Sequence, residues 1–267
     1  MIRHVRLITI GMLVCICVVN TAHADNGTSF VEQFFEANQA CRNHQFQHAI
    51  DGYVRLIENG YDNGHVYYNL GNAYFRLGDL GRAILAFERA RLLIPRDGDL
   101  SFNLSHARNQ LQDAAVAFQR PSLNGFLGLD SLNRYETFLG FTLLNILFFS
   151  LLCIRLFIKT EWTYYLTLFL AILMGIGVCM VVWQRYTWTS DNRGVILSEE
   201  IVVQAGPDLK DTALFKLHAG TLVRVERTEN DWTLLQLSKD KRGWVESNQL
   251  ERIVKRKMAQ PTQTHTP

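Results

Sequence analysis

The chain has 267 residues, of which 48% are hydrophobic and 19% are charged, and its formal net charge at pH 7 is +2. This composition lies near the globular average, and no basic stripe indicates nucleic-acid binding. The average hides an uneven distribution, because the apolar residues form three blocks, one at the N-terminus and two near the middle. We therefore expect water-soluble segments separated by apolar ones.

Residues 1–24 have the features of a secretory signal peptide. Basic residues come first, an apolar run follows over residues 7–19, and Ala22 and Ala24 stand just before Asp25. Such a charged start, a short apolar stretch and small residues at positions −3 and −1 are what signal peptidase recognises. The sequence predicts export with cleavage after residue 24, and a retained N-terminal anchor is the alternative.

Residues 28–118 repeat with a period of 34, the length of a tetratricopeptide unit. The second unit has the fullest motif. Its aromatic, Leu, Gly, Tyr, Ala, Phe, Ala and Pro positions are Tyr67, Leu70, Gly71, Tyr74, Ala83, Phe87, Ala90 and Pro95. We expect Gly71 and Ala83 to let two antiparallel helices approach closely, with Phe87 between them. A further helix, from Asp99 as N-cap to about residue 118, is expected to cap the array.

A second set of residues recurs at the same period, on positions that line the inner groove of such repeats. The set is Phe34, Tyr68 and Phe102; Asn38, Asn72 and His106; and Arg42, Arg76 and Gln110. A spacing of four residues places the aromatic, amide and guanidinium of one unit on one helix face. The pattern predicts a groove that binds an extended peptide through its backbone and carboxylates. The alternative is that these polar groups only solvate a concave surface.

Two apolar segments follow a predicted linker over residues 119–134. We expect transmembrane helices over residues 138–158 and 164–183, which at 21 and 20 residues are long enough to cross a bilayer. The short connection between them predicts a tight hairpin. Small residues at Ala171, Gly175 and Cys179, and the amide of Asn145, would serve helix packing within the hairpin or against a partner.

The two predicted crossings give the topology. If the signal exports the N-terminus, the repeats lie outside the cytoplasm and the chain returns to that side after the second helix. We therefore expect a multi-pass protein of the bacterial inner membrane, with both soluble domains on the periplasmic side.

Residues 195–254 contain short β-type runs separated by turn signals. Their spacing is typical of a bacterial SH3-like barrel, a small fold expected to close its own edges. Trp232 and Trp244 would pack in its core or form a ligand surface on it. Residues 255–267 are polar and are predicted to be disordered.

Motifs for catalysis or metal binding are missing from the sequence. It has no Gly-rich phosphate loop, no G-x-S-x-G, no H-E-x-x-H and no paired CxxC. His44 and His48 are four residues apart but have no third ligand nearby in sequence. We therefore expect a protein that is not an enzyme and has no cofactor and no metal.

The predicted fold class is a multi-domain membrane protein with all-α tetratricopeptide repeats, a two-helix transmembrane hairpin and a small all-β SH3-like barrel. The repeat stretch over residues 67–74, with Leu77-Gly78-Asp79 and Phe87-Glu88-Arg89-Ala90 after it, resembles the BatE family of bacterial aerotolerance operons. Proteins of that family likewise combine a signal peptide, repeats, a hydrophobic pair and an SH3-like domain. The resemblance therefore covers nearly the whole mature chain.

The resemblance implies a role beside other proteins. It places the chain with membrane proteins that bear von Willebrand A domains, a large Bat companion and a MoxR-type ATPase, in envelope stress or oxygen tolerance. The leading hypothesis is a non-enzymatic scaffold that binds partner proteins through its repeat groove. The alternatives are a peptidoglycan-binding module that acts through the barrel, and a regulator or pore component that acts through the hairpin.

Overall fold

The computed structural model describes residues 27–113, 134–158, 160–189 and 191–254. The predicted signal peptide, almost all of the linker and the predicted disordered tail lie outside the described residues. The chain divides into two compact units. One contains the two long apolar helices together with the residues up to Glu32, and the other contains the remaining helices and a β-sheet.

Five helices form the repeat region: α1 (Gly27–Arg42), α2 (Phe46–Glu58), α3 (Gly64–Arg76), α4 (Leu80–Leu93) and α5 (Gly98–Arg108). The side chains of Asn63 and Asp79 cap α3 and α4 by accepting first-turn backbone N–H bonds of 2.8 and 3.0 Å. Gly60 and Gly78 follow α2 and α3 with φ of +89° and +81°, a conformation that glycine adopts without strain.

The close approach predicted at Gly71 is present between α3 and α4. A Cβ at Gly71 would lie 2.6 Å from the ring of Phe87, and Phe87 itself is only 1% exposed. Ala83 is fully buried on the facing helix. Two small residues thus set the distance between the helices, and the aromatic ring fills the space that they leave.

Helix α5 differs from the predicted capping helix at both ends. Its N-cap is Asp97 rather than Asp99, because Asp97 has the extended backbone of a cap and its carboxylate accepts from Leu100 N at 2.8 Å. The helix ends at Arg108, well before residue 118. After the helix ends, Asp113 accepts a backbone hydrogen bond from His218 of the sheet.

Helices α6 (Arg134–Phe157) and α7 (Glu161–Thr189) are long and apolar enough to cross a membrane, over Tyr135–Phe157 and Glu161–Trp183. Only 17% and 11% of their most apolar stretches are buried, whereas the core helix of a soluble protein would be mostly buried. The exposed apolar side chains on both helices are suited to contact with lipid.

The small-residue stripe predicted on the second apolar helix does not pack the hairpin. A Cβ at Gly175 would meet nothing within 4 Å, and Ala171 and Cys179 are exposed. The close contact is at Gly177 instead, where a Cβ would lie 3.0 Å from the ring of Phe141. The stripe lies on a different face of α7 from Gly177, which explains why the predicted residues miss α6.

Residues 193–252 form an antiparallel sheet of seven strands: β1 (Arg193–Ile196), β2 (Glu200–Gln204), β3 (Ala213–His218), β4 (Leu222–Glu229), β5 (Trp232–Gln236), β6 (Arg242–Glu246) and β7 (Leu250–Arg252). The strand order is β3-β2-β6-β5-β4-β1-β7. One face encloses a core that includes Val203, Leu217, Val223 and Leu235. Gly243 lets β6 approach β2, since a Cβ there would lie 2.6 Å from the carbonyl oxygen of Gln204.

The predicted closure of a barrel is not found. Strands β3 and β7 are the two ends of the sheet, and among the described strands they do not pair with each other. Helix α4 contacts the β7 end of the sheet instead. Arg89 of α4 donates to the carbonyl oxygens of Arg252 and Ile253 at 2.9 and 3.0 Å. The sheet is therefore open, with one end joined to the repeat region.

Candidate functional site

A groove of about 790 Å³ lies between the helices of the repeat region. Five of the eight residues predicted for a peptide-binding groove line it: Asn38, Arg42, Asn72, Arg76 and His106. These residues come from α1, α3 and α5, the first helix of each successive unit. The remaining lining residues are Cys41, His44, Phe46, Tyr53, Asn69, Phe75, Phe87 and Asn103.

The three predicted aromatic residues do not line the groove. Phe34 and Tyr68 are half-buried, and their ring centroids lie 6.2 Å from those of Tyr53 and Phe87 respectively. Phe102 is 71% exposed. Its ring stacks on His106 at 6.4 Å with an interplanar angle of 4°. Phe34 and Tyr68 thus contact lining residues without lining the groove themselves. Phe102 stacks on the imidazole of His106, which does line it.

Amide side chains connect the successive units along the groove. Asn38 Oδ1 accepts from Asn69 Nδ2 at 2.8 Å and from the Tyr53 hydroxyl at 2.7 Å. Asn72 Oδ1 accepts from Asn103 Nδ2, also at 2.8 Å. The same amide–amide bond therefore joins α1 to α3 and α3 to α5.

Asn69 and Asn103 belong to the groove but were not predicted as site residues. They recur at the 34-residue period of the repeats. That period was the signal that could have identified them. Each bonds to an asparagine of the preceding unit, so the pairing is visible only when neighbouring units are considered together.

The groove is positively charged. Its lining includes Arg42, Arg76 and two histidines, but no aspartate or glutamate. Neither Arg42 nor Arg76 forms an ion pair with a described residue. Many other arginines of the repeat region and the sheet contact carboxylates: Arg82, Arg89, Arg91, Arg108, Arg193 and Arg227. The two groove guanidiniums are therefore available to a ligand.

Cys41 lines the groove together with both arginines. Burial raises the pKa of its thiol, and the positive charges of Arg76 and Arg42 oppose the rise. The guanidinium of Arg42 is also held over the ring of Phe35, 5.7 Å from its centroid. The charges of two units thus both act on one half-buried thiol.

The two tryptophans predicted for the sheet domain differ in exposure. Trp244 is 6% exposed, and the Arg227 guanidinium lies 5.1 Å from the centroid of its ring. Trp232 on the neighbouring strand is half-buried. The ring of Trp244 is therefore covered by its own chain, and little of it is available to a ligand.

The two histidines considered as metal ligands were His44 and His48. His44 has a positive φ of 59°, and its ring packs edge-on against Phe46 at 5.7 Å. Within the described ranges, no group of three or more His, Cys, Asp and Glu side chains could hold a metal ion.

A buried interface between α4 and the sheet was not predicted. The Glu88 carboxylate is fully buried and accepts from Arg91 at 2.7 Å, from Arg108 and from Arg193 at 3.3 Å. Arg193 belongs to β1 and is further held by Asp191 at 2.8 Å. A carboxylate tolerates such burial only with its charge compensated, so the cluster joins the repeat region to the sheet.

A second polar cluster strengthens this interface at the end of the repeat region. Asp113 accepts from His218 N at 2.7 Å and from Thr221 Oγ1 at 2.6 Å, and its other oxygen lies 3.0 Å from His218 Nδ1. Between the clusters, Ile84 and Leu111 contact Gly220, whose φ of +86° forms the turn after β3. The interface therefore combines apolar contact with polar clusters.

Comparison with known families decides the identity of the repeat. The tetratricopeptide repeat model matches residues 64–97. The match covers α3 and α4 and ends just before α5. A comparison with curated proteins finds no match to the chain. The chain therefore carries a tetratricopeptide repeat, a module typical of scaffolds for protein–protein interaction, while the resemblance to the BatE family stays a prediction.

Proposed function

We propose that the protein is a non-enzymatic, membrane-anchored scaffold that binds partner proteins through the groove of its repeat region. The observation that carries the proposal is the pair of guanidiniums, Arg42 and Arg76, which line a groove free of acidic residues and have no carboxylate partner among the described residues. Polar groups that merely solvate a surface would not be concentrated in one groove with a single sign of charge. A ligand groove explains this concentration.

The chain is further proposed to cross the bacterial inner membrane twice, with both soluble parts on the periplasmic side. Support comes from the interface between α4 and the sheet, since parts joined by buried ion pairs must lie on the same side of a membrane. The two apolar helices lie between these parts in sequence, and two crossings return the chain to its starting side. The predicted signal peptide sets that side as the periplasm.

Partners of BatE-like proteins are the proposed ligands of this scaffold. The order of signal peptide, repeats, apolar pair and C-terminal β-domain supports this assignment. The amino-acid sequence of the repeat over residues 67–74 supports it as well. Membrane proteins with von Willebrand A domains are then the expected partners, in an envelope complex for oxygen or stress tolerance.

Purification of the tagged protein from its own membranes in mild detergent, with mass spectrometry of the bound proteins, tests this function. The groove variant is Arg42→Gln with Arg76→Gln, which leaves the asparagine pairs of the repeat intact. The matched control is Arg55→Gln with Arg242→Gln, because both of these arginines are exposed and lie outside the groove. The von Willebrand A proteins are expected with the native chain and the control, and not with the groove variant.

Partners that stay bound to the groove variant would contradict the proposal. Sedimentation of that variant with purified sacculi would then favour peptidoglycan binding by the sheet domain.

A further inference from the structure

We propose that the turn of the apolar hairpin binds the phosphate group of an anionic phospholipid through Arg155. This inference rests on the proposed function, in which α6 and α7 cross the membrane, and it names a ligand for a part of the chain that partner binding does not use. It follows from the position of Arg155, from the ring that holds its guanidinium and from the charges around it.

Arg155 lies at the end of the hairpin where the two apolar helices are joined. It precedes Phe157, the last residue of α6, by two positions, which is about 3 Å along the helix axis. Helix α7 begins shortly afterwards, at Glu161. A charged side chain close to the end of a membrane helix can reach the headgroup region. The guanidinium of Arg155 is therefore within reach of lipid phosphates.

The ring of Tyr164 holds this guanidinium across the turn. The Cζ atom of Arg155 is 5.0 Å from the centroid of the Tyr164 ring, which belongs to the first turn of α7. A guanidinium in such a cation–π contact presents one face to the ring and keeps the N–H groups in its plane for an acceptor. The Arg155 side chain is also half-buried. Because it is held in place, less entropy is lost when an anion binds.

The positive charge of Arg155 is not neutralised by a described residue of the hairpin. In sequence, residues 137–160 contain two basic residues, Arg155 and Lys159, and no acidic one. The nearest acidic residue is Glu161, which is exposed and forms no ion pair with Arg155. Two basic residues and one acidic residue give the turn a net charge of +1. The planar fork of a guanidinium matches two phosphate oxygens, so an anionic phosphate group would supply the counter-charge.

Exposed aromatic side chains around the turn favour a lipid over a free phosphate ion. Trp162 is 83% exposed and Phe157 is 76% exposed, and Tyr164 is exposed as well. Trp and Tyr are enriched at the interface between membrane and water, where one part of the ring contacts acyl chains and another the headgroups. The turn thus offers apolar contact for the acyl chains beside a guanidinium for the phosphate. A free phosphate ion would use the guanidinium alone.

Native mass spectrometry of the full-length protein in mild detergent tests the inference. The probes are phosphatidylglycerol and phosphatidylcholine with the same acyl chains, which share the phosphate and differ in net charge. At equal lipid concentration we expect about fivefold more bound phosphatidylglycerol, the factor that one basic residue near a membrane surface contributes for anionic lipid. Excess inorganic phosphate should leave the lipid bound, and its displacement by phosphate would overturn the choice of a lipid as ligand.

Variants assign the preference to Arg155. The Arg155→Gln variant should bind the two lipids equally, and Arg155→Lys, which keeps the charge but not the planar fork, should retain a smaller preference. The control Arg185→Gln removes an exposed arginine from the other end of the same hairpin and should retain the full preference. An unchanged preference in Arg155→Gln, or equal losses in Arg155→Gln and the control, would overturn the inference.

Extraction of native membranes with alkaline carbonate separates this inference from the membrane crossing on which it rests. A chain that crosses the bilayer stays in the membrane pellet, and a chain bound only at the surface is released. If the native chain is retained but shows no lipid preference, the crossing stands and the lipid site falls. If the native chain is released, the proposed crossing falls and the lipid site falls with it.

Discussion

Glu88 shows how single polar residues organise this molecule. It lies on α4 between the motif residues Phe87 and Ala90, and its carboxylate is fully buried. Three arginines compensate its charge, and one of them, Arg193, comes from the first strand of the sheet. The interface between helix and sheet thus depends on a charge that would be costly to bury alone.

Removal of the Glu88 charge is expected to destabilise the packing of the repeat region against the sheet strongly. In Glu88→Gln, Arg91 and Arg108 lose their carboxylate partner and the buried Arg193 keeps only Asp191. Breaking such a buried pair costs about 3–5 kcal/mol of unfolding free energy. The matched control Glu229→Gln removes the exposed pair with Arg227 and should cost at most about 1 kcal/mol. Denaturant unfolding of both variants measures the difference, and similar losses would contradict the role of the Glu88 cluster.

Asp113 is expected to make the same interface sensitive to acid. Burial raises the pKa of this carboxyl, but hydrogen bonds from Thr221 and His218 outweigh burial and hold the pKa below its ordinary value of 3.8. Its contribution to stability is therefore present above pH 3.8 and is lost as the pH falls through the lowered pKa. The melting temperature of Asp113→Asn should lie below that of the native chain near neutral pH, and the gap should narrow in acid. A gap that stays constant down to acid pH would contradict this.

At the scale of elements, the contact between α3 and α4 depends on the absence of a side chain at Gly71. In Gly71→Ala the new Cβ would press against the buried ring of Phe87, and overpacking of this kind costs about 1–3 kcal/mol. Gly98→Ala is the control, since a Cβ at Gly98 meets nothing within 4 Å. Thermal unfolding should show a lower melting temperature for Gly71→Ala alone. Equal behaviour of the two variants would mean that Gly71 does not set the helix spacing.

The sequence allowed the helices and part of the groove to be predicted, because both depend on a fixed period. Gly71, Ala83 and Phe87 occupy the expected places in the contact between helices. The groove positions Asn38 and Asn72 were found for the same reason, since equivalent residues of successive units share a face. Asn69 was missed because its role appears only in its bond to the preceding unit.

The interface between α4 and the sheet could not be predicted from a period. Its partners are far apart in sequence, as with Arg89 and Glu251, and no repeat relates them. The open form of the sheet could not be predicted for the same reason. The spacing of turns indicates strands, but it does not show that Arg89 will bind the carbonyl groups at the β7 end.

At the scale of the whole molecule, the interface between α4 and the sheet predicts that the repeat region and the sheet lie on the same side of the membrane. Reporter fusions placed after residues 113, 159 and 254 should show the first and third on the same side of the membrane and the second on the other. Alkaline phosphatase, which is active only outside the cytoplasm, should be active at the first and third positions. Activity at only one of these two would contradict the joined arrangement of repeats and sheet across a two-helix hairpin.

Site-specific photo-crosslinking in native membranes tests the scaffold function most directly. A photoreactive residue in place of Phe75 would lie in the groove and leave both guanidiniums in place, and one in place of Arg55 would lie outside the groove on the same repeat region. The groove position should form an adduct with a membrane protein, identified by mass spectrometry, and the control position should not. An adduct at residue 55 with none at residue 75 would contradict the claim that this protein binds its partners through the groove.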